Sequence, residues 1–205
     1  MCLIQRVVRT IKTRAGDEVK QTRMMQIKDL ETREETDEFV IAGYFAKYNS
    51  VTQLFEKAFE EIMPGAFDNS LVKNDIRALV DHETRLVLGR TKSGTLALHS
   101  DDVGLYGTIR INKDDTDAVN LYQRVKRGDI DQCSFGFNIV EEEVNVTEDD
   151  SIHWKLIEVD LHEVSVVTFP AYADTSVEAR KNDLNTMKKR KRQKHLASLK
   201  ERISK

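Results

Sequence analysis

The chain has 205 residues, 40% of them hydrophobic and 33% charged, with a formal net charge of −3. This is enough apolar material for one domain of roughly 150 residues with tails, and the balance of charge points to no partner. Two prolines and nine glycines exclude collagen-like and proline-rich organisation, and no run of about 20 apolar residues is present to span a bilayer.

In chain order, residues 2–13 mix Leu3, Ile4, Val7, Val8 and Ile11 with basic side chains, leaving strand and helix both open. Gln5, Arg6 and Arg9 interrupt any secretory h-region, so a cytosolic location is expected. Gly16-Asp17 signals a hairpin turn. Residues 28–38 are densely charged and read as a solvated connection. From Phe39 to Tyr48 the sequence reads as a buried strand. Pro64-Gly65 is a turn, and Ala66–Val72 suits a short helix. Ile76–Val80 reads as a strand running into Asp81-His82. Leu86–Arg90 and Thr95–Ser100 read as paired strands around Lys92-Ser93-Gly94. Leu105–Ile111 alternates, with Leu105, Gly107 and Ile109 on one face and Tyr106 and Thr108 on the other.

One helix is plain. Asp114, Asp115 or Thr116 caps it, Ala118, Leu121, Tyr122 and Val125 recur at helical spacing, and Gly128 ends it. Strands are predicted at about 130–141 and 152–169, a helix after Pro170, and a basic tail containing the unbroken run Lys188–Arg192. Many short strands with few helices predict a mainly β, α+β fold: a closed or nearly closed β-barrel with helices packed outside.

Three residues are candidates for chemistry. Ser134 lies in Asp-Gln-Cys-Ser-Phe-Gly-Phe. On a strand, Cys133, Phe135 and Phe137 share one face while Ser134, Gly136 and Asn138 share the other. A small hydroxyl beside a glycine leaves room for a substrate backbone, although spacing alone also fits an ordinary serine in a half-buried strand. His82 follows an apolar strand, where a rigid element positions a group while leaving one side open. An imidazole titrating near neutrality can take a proton from a serine hydroxyl; a surface histidine in a polar turn has the same local sequence. Glu163 sits in the otherwise largely apolar Asp160–Val167 segment and needs a partner if buried: a histidine ring, as in a triad, or a structural ion pair. His162 points the opposite way on a strand. Cys133 is a rival nucleophile, placed opposite Ser134 and toward the core. No cofactor or metal is implied: there is no glycine-rich phosphate loop and no His-Glu-x-x-His motif. Two cysteines cannot supply a Cys-rich zinc site.

An ordered series of motifs then stands out: Gly43-Tyr44-Phe45-Ala46-Lys47-Tyr48-Asn49, Met63-Pro64-Gly65-Ala66-Phe67, Asp81-His82, Leu88-Gly89-Arg90-Thr91, Ser134-Phe135-Gly136-Phe137, and Leu161-His162-Glu163-Val164-Ser165-Val166-Val167-Thr168-Phe169-Pro170-Ala171. In this order they resemble the prohead (capsid maturation) serine proteases of tailed phages and prophages, over about residues 39–178. The resemblance implies a barrel related to the herpesvirus assembly proteases. It implies Ser134 as nucleophile, His82 as base and Glu163 as third member, with His162 as rival because a histidine fills that role in the herpesvirus relatives.

Together with the charge pattern along the chain it gives three parts: N-terminal strands and a charged connection (1–38), a protease barrel (39–178) and a basic tail (179–205). The implied substrates and partners are the major capsid protein precursor, the scaffold and the chain itself, inside assembling proheads in the host cytoplasm, with a homo-oligomer as an option. No membrane is implied, and nucleic acid only weakly, through the tail. The competing reading is a non-catalytic capsid assembly or scaffold protein with the same barrel.

Overall fold

Alternation of apolar and polar side chains governs most of the fold. The computed structural model describes residues 6–9, 21–25, 30–35, 38–147, 149–169, 180, 189 and 193. The chain divides into two compact units, Met1–Ala171 and Tyr172–Lys205. The elements below all belong to the first. The helix expected after Pro170 and most of the basic tail lie outside the described residues, as does the Gly16-Asp17 turn.

The fold is mainly β with two helices among the described residues. In order, the elements are β1 (Arg6–Arg9), β2 (Gln21–Met25), β3 (Glu31–Glu35), β4 (Glu38–Lys47), β5 (Thr52–Phe55), β6 (Ala58–Ile62), α1 (Asp68–Lys73), β7 (Arg77–Val80), β8 (Glu83–Arg90), β9 (Leu96–Ser100), β10 (Gly104–Ile111), α2 (Thr116–Arg127), β11 (Gln132–Val146) and β12 (Ile152–Val167). Strands β3-β4-β10-β9 form one sheet. The other eight form a second sheet around the long β11–β12 pair. Ile41 and Phe45 of β4, Leu105 and Ile109 of β10, and Phe135, Phe137, Leu156 and Leu161 of β11 and β12 share one buried core.

Four expectations need correction. Neither sheet closes into a barrel among the described residues. Alternation marks individual strands, but closure requires a ladder between the first and last strands, which local pattern does not encode. Leu86–Arg90 and Thr95–Ser100 do not pair: β8 pairs with β7 while β9 pairs with β10, so the Lys92-Ser93-Gly94 turn carries the chain from one sheet to the other. The charged segment near residues 28–38 contains β3, an edge strand paired with β4. Its charge is what a protected sheet edge carries. Finally, among the described residues β1 and β2 pair not with each other but end to end along β11, Arg6–Arg9 opposite Glu142–Asn145 and Gln21–Met25 opposite Cys133–Phe137.

Helix α2 follows its pattern. The Asp115 carboxylate accepts from the Asp117 and Ala118 backbone N–H groups at 3.0 and 3.2 Å, and Gly128 ends the helix at φ 86°, a conformation glycine adopts without steric cost. Ala118, Leu121, Tyr122 and Val125 are its buried face, with Tyr122 stacked on Phe39 at 4.4 Å. Burying large apolar side chains such as Leu121 and Val125 contributes roughly 1.5–3 kcal/mol each.

What positions the site is the edge of β12 (Ile152–Val167), which has three partners in turn. Residues 152–156 pair in parallel with β6, and 163–166 with β7. Between these ladders the backbone is satisfied by the segment around α1. Val159 donates to the Ala66 carbonyl at 3.0 Å. Ser70 Oγ donates to the Val159 carbonyl at 2.7 Å and accepts from the Leu161 N–H at 2.9 Å. Asn74 Nδ2 donates to the Leu161 carbonyl at 2.8 Å. Every buried backbone group needs such a partner, and α1 supplies them where no strand does.

Candidate active site

His82 stands in the two-residue turn joining β7 to β8, with Val80 paired to Glu83 across it. Both turn residues are left-handed, Asp81 at φ 47° and His82 at φ 62°. A two-residue hairpin of this hand needs positive φ at both positions, normally supplied by Asn or Gly. For side-chain-bearing residues the conformation costs about 1–2 kcal/mol each. The turn is held from β12: Asp81 N–H donates to the Val166 carbonyl at 3.0 Å, and the Asp81 carboxylate accepts from Thr168 N–H and Oγ.

That tether lays the His82 ring over the end of β12. His82 Nδ1 lies 2.7 Å from Glu163 Oε1. A carboxylate only accepts, so Nδ1 carries the proton and Nε2 of the neutral ring keeps its lone pair. Nε2 is buried and has no hydrogen-bond partner among the described residues. Glu163 is 2% exposed. Burial of a carboxylate is tolerated only with partners, and its second oxygen, Oε2, accepts from Ser165 Oγ at 2.7 Å.

Ser134 lies one strand away. In the β11–β12 ladder its Cα partner is Ser165, and that of Gly136 is Glu163. Directly opposed residues of an antiparallel pair project from the same face, so Ser134, Ser165 and Glu163 are on one side of the sheet. The structure therefore joins His82 to Glu163 by a hydrogen bond and brings Ser134 to the adjoining ladder position. Ser134 and His82 are not hydrogen-bonded to each other. The expectation of an open face at Ser134 is corrected: Ser134 is 0% exposed, and β11 is paired at this point with β2 on one side and β12 on the other.

The register also separates Glu163 from its rival. Gly136 pairs with Glu163 but Phe137 pairs with Leu161, so His162 is an extra residue in β12. Its ring is 36% exposed, and Nε2 lies 3.8 Å from Asp160 Oδ2. Glu163, and not His162, contacts His82. Cys133 is fully buried in the core, where desolvation pushes its thiol well above its ordinary pKa; such a thiol is inert.

Sequence reasoning passed over two groups. In the sequence Asp81 stands only as the neighbour of His82, and Ser165 only as part of a motif. The signal for Ser165 was its place two residues after Glu163, on the same strand face. In the Leu88–Thr91 motif, Arg90 binds Asp75 through Nε at 2.7 and 2.9 Å, and Thr91 Oγ accepts from the Ile76 N–H at 2.9 Å. Among the described residues no cluster of His, Cys, Asp and Glu could hold a metal ion, and no helix is long and apolar enough to cross a membrane.

The family model for Caudovirus prohead serine protease matches residues 28–190. Among solved structures, the bacteriophage T4 capsid assembly protease, gp21, is similar over 76% of this chain and 100% of its own, at 11% identity and a TM-score of 0.46. No curated protein gives a significant match.

Proposed function

Because the chain belongs to the Caudovirus prohead serine protease family, a family of peptide-bond hydrolases, we propose that Ser134 is its nucleophile, His82 the general base and Glu163 the third member of the triad. The observation that carries this reading is the His82–Glu163 hydrogen bond of 2.7 Å, which leaves a buried Nε2 lone pair without a partner among the described residues.

In this mechanism His82 Nε2 takes the Ser134 hydroxyl proton as Oγ attacks the scissile carbonyl carbon. The proton then passes to the leaving amine as the C–N bond breaks. Water, deprotonated by the same nitrogen, releases the acyl group and restores the serine. Glu163 holds the ring in the tautomer that keeps Nε2 basic and stabilises the imidazolium that forms. The burial of Ser134 means that a substrate peptide reaches Oγ only after local rearrangement.

The substrates proposed are the scaffolding segment of the major capsid protein precursor, free scaffold, and the chain itself, cleaved inside the assembling prohead. The basic run Lys188–Arg192 suits retention within the shell by charge, and Leu196-Ala197-Ser198 is a candidate self-cleavage site. Co-expression with the capsid precursor, read by intact mass, tests this. Wild type is expected to trim the precursor or itself, and Ser134→Ala to do neither. Identical masses from both, with particles assembled, would overturn the assignment in favour of a non-catalytic assembly role.

A further inference from the structure

The triad as proposed ends at Glu163, but the hydrogen-bonded group does not. Ser165 is 0% exposed. Its hydroxyl donates to Glu163 Oε2 at 2.7 Å, its oxygen lies 3.4 Å from His82 Nδ1, and its Cα is paired with that of Ser134. Ser165 thus touches both Glu163 and His82 and also flanks the nucleophile.

A hydroxyl has one proton, and here it goes to the carboxylate. Glu163 has three rotatable side-chain bonds, and its carboxyl plane turns freely about the last of them. The bond from Ser165 fixes that plane, and with Oε2 held, Oε1 is aimed at Nδ1. Nδ1–H is already committed to Oε1, so the 3.4 Å approach of Ser165 Oγ adds at most a weak second acceptor for it. We infer that Ser165 is a positioning residue for the proteolytic reaction: it locks the Glu163 carboxylate and, through it, the orientation of the His82 ring.

The inference rests on the triad reading, and a double-mutant cycle on precursor cleavage separates the two. If Ser165 acts through Glu163, Ser165→Ala lowers kcat about 10- to 100-fold, as expected for a misaligned base, with KM within about twofold. Ser165→Thr, which keeps the hydroxyl, restores most of it. In a Glu163→Ala background, Ser165→Ala adds less than about twofold, because nothing remains to be positioned. Additive losses would overturn the inference, as would an unchanged kcat or a loss as complete as that of Ser134→Ala.

A readout that needs no cleavage accompanies the cycle. In the Ser134→Ala protein, the His82 Nδ1–H proton is expected as a downfield NMR resonance that broadens or disappears on adding Ser165→Ala while the melting curve stays cooperative. A resonance indifferent to Ser165 counts against positioning even if Ser134 proves essential. Cleavage surviving Ser134→Ala defeats the triad reading instead.

Discussion

The Asp81 carboxylate takes both donors of Thr168, the backbone N–H at 2.8 Å and the hydroxyl at 3.2 Å. These bonds tie a left-handed turn to the end of the strand that carries Glu163. Removing them by Asp81→Ala is expected to cost about 1 kcal/mol, since each is an exposed bond worth only part of a buried one. Activity should fall more than stability does, because the turn also sets the His82 ring over Glu163. Asp81→Asn keeps an acceptor for the Thr168 N–H and tolerates positive φ, so it should stay within about 0.5 kcal/mol of wild type. Melting curves and cleavage rates on the two variants check this. Equal losses in both would mean that charge, not the tether, is what matters.

The Asp81–Thr168 tether also shows what was and was not legible. His82 and Glu163 could be named from their segments because each placed a polar group at the end of, or within, an apolar strand. Their meeting depends on β7 lying parallel beside β12, with Glu163 opposite Arg77 and Val166 opposite Val80, a long-range register that no local pattern specifies. The neighbourhood of Ser134 was misjudged for the same reason. Face alternation within β11 is right, but the strand is interior to its sheet, flanked by β2 and β12, and Ser134 is buried, which alternation along one strand does not reveal. The edge strand β3 was hidden because a charged edge and a solvated loop have the same composition.

Ser70 gives a stability prediction. Its hydroxyl bridges the Val159 carbonyl and the Leu161 N–H in the stretch where β12 has left β6 and not yet met β7. Ser70→Ala leaves both backbone groups short of that partner within a buried join, at an expected cost of about 1–3 kcal/mol. Urea denaturation should show a lower midpoint with an unchanged m-value. A change below about 0.5 kcal/mol would mean that another partner replaces the hydroxyl.

Asp75 governs part of the acid response. Hydrogen bonds from Arg90, opposed by partial desolvation and helped by the Lys92 N–H, hold its carboxyl at about 2. An unfolded aspartate titrates near ~3.9. The folded value is the lower one, so the contribution is fully present above about pH 4 and is lost as pH falls toward about 2. Melting temperatures of wild type and Asp75→Asn should therefore differ most above pH 4 and converge as pH approaches 2. A gap that stays constant across this range would show that the pair adds no pH-dependent stability.

Ser134 is 0% exposed, yet a nucleophile must meet its substrate. A buried group reacts through the small population in which its surroundings have opened. Labelling by a fluorophosphonate, which needs an activated serine, should accordingly be slow in native buffer. It should rise with sub-denaturing urea as local opening becomes easier, and fall again once global unfolding dismantles the His82–Glu163 pair. Ser134→Ala should not label under any of these conditions, and Cys133 should stay silent to thiol reagents over the same urea range in a Cys2→Ser background, because its burial is relieved only by unfolding of the core. Fast labelling that is independent of urea up to the unfolding transition would show that the serine is reached without opening. Labelling of Cys133 in step with Ser134 would show instead that the opening is not local to the catalytic face but takes the core with it.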